Sequence, residues 1–112
     1  MKRGKPKLPR PLSKAEELLA LQLRAEGIAF LREMPVCPER RWRLDFVIMC
    51  AGLRTNIAVE INGWGRHQRF TGYEADMEKF CEAVCHGWRL LTVTPRHVSS
   101  GQALAWIKRL IG

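Results

Sequence analysis

Runs of apolar and polar positions divide the chain into a short series of elements. Leu18, Leu19, Leu21 and Leu23 follow a Ser13–Glu16 pair with capping-box spacing, so a helix begins after Ser13, and Gly27 ends it. Residues 28–36 are short and apolar, as in an edge strand, and lead into a loop with Pro35, Pro38, Glu39 and Arg40. Residues 41–49 alternate: Trp42, Leu44, Phe46 and Ile48 share one face, and Arg43, Asp45 and Val47 the other. After a turn at Ala51-Gly52, residues 56–62 alternate again, with Ile57, Val59 and Ile61 opposite Ala58, Glu60 and Asn62. Gly63, Gly65 and Gly72 bracket a loop holding Trp64, Arg66, His67, Arg69 and Phe70. A helix is predicted over about residues 73–86, closed by Gly87, with Tyr73, Met77, Phe80, Cys81 and Val84 as its apolar face and Asp76 at the edge of it. Residues 88–94 read as a fourth strand stopped by Pro95. Ser99 or Ser100 then caps a last helix carrying Ala103, Leu104, Trp106, Ile107 and Leu110.

The order helix, three strands, helix, strand, helix predicts an α/β fold with one mixed sheet. The three successive strands form an antiparallel meander, and the helix before the fourth strand makes a crossover. A chain of 112 residues allows one domain, placed at 13–112. No apolar run reaches the roughly 18 residues of a membrane span, and the basic first ten residues lack the apolar stretch of a secretory signal.

Charge changes the picture at one end. Of a net charge of +8, Lys2, Arg3, Lys5, Lys7 and Arg10 lie before any acid, interleaved with Pro6, Pro9 and Pro11. Residues 1–12 therefore read as a flexible basic arm, either a solubilising tail or a segment that neutralises phosphates. Cys37, Cys50, Cys81 and Cys85 show no finger or ribbon spacing. They read as reduced thiols, Cys81 buried on its helix, in a cytoplasmic protein.

Asp45 and Glu60 fall on consecutive strands and on the same, less apolar side. Two carboxylates brought together by antiparallel pairing repel unless a cation or a shared proton lies between them. Mg²⁺ suits such a pair because it takes oxygen ligands and keeps several waters. The plainer reading leaves each acid solvated or pairs it with an arginine such as Arg41 or Arg43.

These residues resemble a known family. Arg43-Leu-Asp45-Phe, then Ile57-Ala-Val-Glu60-Ile-Asn62-Gly63, then His67, is similar to the PD-(D/E)xK nuclease superfamily, in the small branch of very-short-patch-repair-like endonucleases that includes many phage-encoded ones. Asp76-Met-Glu-Lys79 and the stretch from Gly87 to Pro95 resemble the same branch, and the likeness covers about residues 13–110. It implies a restriction-endonuclease-like core with Asp45 and Glu60 as metal ligands and the Ile61 carbonyl as a third oxygen. The cofactor would be Mg²⁺, with Mn²⁺ as a substitute. Asn62 stands where the pattern has lysine, and asparagine carries no charge and is no base. His67 matches a histidine that serves as general base in this branch, and Lys79 is the alternative source of positive charge. Glu16 matches the acid of the first helix, although its capping role already accounts for it.

The implied activity is metal-dependent hydrolysis of DNA phosphodiester bonds, on structured or mismatched DNA, in repair, recombination or phage DNA processing. Lys2, Arg3, Lys5, Lys7, Arg10, Arg41, Arg43, Arg66 and Arg69 would contact phosphates. The setting would be the cytoplasm of a bacterial or phage-infected cell, with a homodimer if two strands of a junction are cut. The alternative is a nuclease fold that has lost turnover and binds DNA only.

Overall fold

The computed structural model describes residues 12–63 and 70–112. Ser13 caps the first helix, α1 (Lys14–Ala25), by accepting the Glu16 N–H at 3.1 Å, while the Glu16 carboxylate accepts the Ser13 N–H at 2.9 Å. Both bonds satisfy donors that the first helical turn cannot pair internally. Leu19, Ala20 and Leu23 form the buried stripe of α1.

Strands β1 (Phe30–Pro35), β2 (Arg43–Cys50) and β3 (Leu53–Ile61) form the meander, and β4 (Arg89–Val93) joins β3 in parallel after helix α2 (Phe70–Cys85). The sheet order is β1-β2-β3-β4. Ala51 and Gly52, with φ of 54° and 77°, make the two-residue β2–β3 turn, whose two positive φ values match the right-handed twist of a hairpin.

Helices cover both faces of the sheet. On one, Leu19 and Leu23 of α1 pack with Phe46, Ile48, Ile57, Val59 and Val93, closed by Val98 of α3 (Pro95–Ser99) and by Ala103 and Ile107 of α4 (Gln102–Ile111). On the other, Val47 and Ala58 pack with Ala83 of α2 and with Trp88, Val36 and Cys37. The fold is therefore the predicted single α/β domain with a mixed sheet. Coverage of the second face explains why Val47 and Ala58 are fully buried on the side that reads as less apolar.

Four local expectations need correction. Trp42 and Leu44 pack in the second cluster, away from Phe46 and Ile48, so the alternating face of β2 divides between two cores. Pro95 ends β4 and also opens α3: Thr94 caps that helix, and proline at the first helical position lacks only a donor that would be unpaired there. The C-terminal segment is thus two helices, with Gly101 at a φ of 85° between them. Cys81 is exposed, as are Cys50 and Cys85, and Cys37 is the buried thiol. The inward face of α2 also differs. Tyr73 and Val84 are 63% and 61% exposed, whereas Ala83 is buried and Asp76, Lys79 and Phe80 are half-buried.

Candidate active site

The β2–β3 register places Phe46 opposite Val59, and one step further along the ladder sets Asp45 opposite Glu60. Their side chains replace backbone pairing there. The Asp45 N–H donates to Glu60 Oε1 at 2.8 Å, and the Ile61 N–H donates to Asp45 Oδ2 at 2.9 Å. These crossed bonds fix both carboxylates where the two strands part. Glu60, between the sheet and α2, is 7% exposed, and Lys79 reaches it from α2 with Nζ 2.9 Å from Oε2.

Glu16, at the start of α1, and Glu33, on β1, complete the acidic surroundings. Ligand oxygens of Glu16, Glu33 and Asp45 lie within 4.8 Å of one another. Arg32 holds part of this group: its Nη2 is 3.2 Å from Glu16 and 3.8 Å from Glu33, and its Nε donates to the Asp45 carbonyl at 2.7 Å. The guanidinium also stacks on Phe46, 4.3 Å from the ring centre. Glu33 has a φ of 56°, a left-handed conformation costly for a residue with a Cβ. The β1–β2 register continues unchanged across it, from Arg32↔Phe46 to Met34↔Leu44, which sets Glu33 opposite Asp45. Strain held beside a carboxylate cluster is the pattern of a site that sets the direction of a side chain.

Electrostatics follow from this crowding. Burial, with the Asp45 charge adding to it, pushes the Glu60 carboxyl up to about 7, against the opposing pull of Lys79. Asp45 is also raised, chiefly by burial and further by Glu16 and Glu33, while the Ile61 N–H and Lys79 oppose the shift. Two neighbouring acids that both resist ionisation make a site that favours an added cation.

No protein-family model, curated protein or solved structure matches the chain.

The structure thus brings together Asp45, Glu60, Lys79, Glu16 and the Ile61 backbone from the sequence-derived candidates. Asn62 is exposed, and its backbone N–H donates to the Val93 carbonyl at 2.7 Å. Arg41 and Arg43 are exposed, Arg43 with its Nη1 on the Glu33 carbonyl at 3.0 Å. His67, Arg66, Arg69 and the basic residues Lys2, Arg3, Lys5, Lys7 and Arg10 lie outside the described residues. Sequence reasoning missed Glu33 and Arg32. The signal for both is register: once β1 pairs with β2, position 33 falls beside Asp45, but an isolated edge-strand glutamate reads as ordinary surface.

Proposed function

We propose that the chain is a metal-dependent DNA endonuclease centred on Asp45, Glu60 and Lys79. One observation carries this reading: buried Glu60 and half-buried Asp45 are cross-linked by hydrogen bonds between adjacent strands, with a lysine amine 2.9 Å from Glu60. The donor set fits a hard divalent cation, since Glu16, Glu33 and Asp45 bring three carboxylates within 4.8 Å of one another and Glu60 adjoins them through its bond from the Asp45 N–H, all oxygen ligands of the kind Mg²⁺ prefers. Asp45 and Glu60 would hold the ion, with the Ile61 carbonyl and Glu16 as further oxygen donors. Bound Mg²⁺ or Mn²⁺ would supply Lewis-acid polarisation of a phosphate and acidify a coordinated water.

The protein's own residues do the positioning. The crossed Asp45–Glu60–Ile61 hydrogen bonds hold the acids rigid before substrate arrives, which lowers the reorganisation needed at reaction. Lys79 brings positive charge from α2 to the place that Asn62 leaves without it, and would stabilise charge on the scissile phosphate or orient the attacking water. His67 would serve as the base. Exposed Arg41 and Arg43 and the basic arm would neutralise flanking phosphates of DNA, in the cytoplasm of a bacterial or phage-infected cell.

A second reading has an observation of its own. Arg32 and Lys79 already partner Glu16 and Glu60, and Asn62 replaces the lysine, as in a nuclease fold that binds DNA without cutting it. Supercoiled plasmid decides between the two. We expect nicking in Mg²⁺ or Mn²⁺, none in EDTA, and a loss of at least about a hundredfold in Asp45→Ala and in Glu60→Ala. Salt-sensitive DNA binding without nicking on plasmid, branched or mismatched substrates would establish the binding protein instead.

A further inference from the structure

A second cluster of ligand-bearing side chains lies outside the acidic site. Cys37 and Glu39 sit on the loop after β1, and His86 follows the last residue of α2. Their ligand atoms all fall within 4.8 Å of one another. We propose that these three residues bind one Zn²⁺-class cation, which fastens the β1–β2 loop to the end of α2.

The chemistry of the three donors is the first argument. Thiolate, imidazole and carboxylate together select a borderline cation of the zinc type, whereas Asp45 and the acids around it select a hard one. At metal–ligand lengths of about 2.0–2.3 Å, tetrahedral ligands lie about 3.3–3.8 Å apart. Small rotations of Glu39 and His86, both exposed, close the remaining distance.

Orientation of the histidine is the second argument. His86 Nδ1 is 2.9 Å from the Glu82 carbonyl oxygen, which can only accept, so Nδ1 carries the proton and Nε2 presents the lone pair. A backbone carbonyl holding the far nitrogen is the usual support of a metal-binding imidazole.

The walls of the site are already built. Trp88 Nε1 donates to the Val36 carbonyl at 3.2 Å, and Asn56 Nδ2 donates to the Gly87 carbonyl at 3.0 Å. The first bond joins the residue beside Cys37 to a buried tryptophan of the second core, and the second ties the residue beside His86 to β3. Cys37 is 5% exposed at the edge of an open groove of about 490 Å³, lined also by Met34, Arg54, Asn56 and Trp88. Three protein ligands beside an open groove leave room for water as the fourth.

Co²⁺ added to metal-stripped full-length protein reports thiolate ligation through its sulfur-to-metal charge-transfer absorption. We expect one equivalent to produce the band and Zn²⁺ to displace it. Cys81→Ser and Asp45→Ala should leave the band intact, Cys37→Ser should abolish it, and His86→Ala should weaken binding at least tenfold. His86 is exposed, so that variant is expected to keep its fold, which far-UV circular dichroism checks. No band in the wild type, or an undiminished band in Cys37→Ser, would overturn the assignment. Because Asp45→Ala removes the acidic centre and spares this one, the two sites fail independently.

Discussion

Glu60 carries the largest electrostatic cost visible at the level of single residues. Its carboxyl titrates at about 7 in the folded chain, against an ordinary 4.5. Between those values the folded state keeps a proton that the unfolded chain releases, so this group's contribution to stability is greatest below about pH 4.5 and is lost as pH rises towards 7. We expect thermal unfolding of metal-free protein to shift downward between about pH 5 and about pH 7.5, and Glu60→Gln to flatten that decline. Identical pH profiles for the two proteins would refute the burial argument. Lys79 offsets part of the cost, so its amine is a positioning group for Glu60 even before any substrate is considered.

At the scale of elements, the hairpin turn and α2 show what the pattern of residues reveals and what it hides. Ala51 occupies the first left-handed position of the β2–β3 turn, a conformation that favours asparagine over alanine. Ala51→Asn should therefore raise the unfolding free energy by about 0.5–1 kcal/mol in a denaturant titration, and an unchanged or lower value would contradict the turn assignment. Strand alternation made the pairing of Asp45 with Glu60 legible, because a period of two places both on one side of adjacent strands whatever the exact ends. The apolar stripe of α2 was misleading for a physical reason. The sheet face beneath this helix carries Glu60, so the helix turns Lys79, Asp76 and Ala83 inward and leaves Tyr73, Cys81 and Val84 outside. That is a rotation of roughly a quarter turn from the most apolar face. The buried Glu60–Lys79 ion pair here overrides the hydrophobic pattern, and nothing local to the helix records it. Glu33 was hidden in a similar way, since its role depends on a strand partner and on a φ of 56° that the sequence does not announce.

For the whole molecule, the arrangement divides labour between the two sides of the sheet. α1, α3 and α4 bury one face with Leu, Ile, Val and Phe side chains, and this core supplies stability. The other face carries a smaller core around Trp88 and, where β2 and β3 part, Asp45 and Glu60. Among the described residues no helix is long and apolar enough to cross a membrane. A net charge of +8 suits the polyanionic substrate of the proposed function. On the proposed function, Asp45 and the acids around it form a divalent-metal centre. Titration of Mn²⁺ followed by electron paramagnetic resonance, in a Cys37→Ser background to exclude the thiol cluster, counts the ions held there. We expect saturable binding that is lost in Asp45→Asn and weakens as pH falls below about 7. Binding that is absent, or equal in the Asp45→Asn protein, would contradict it.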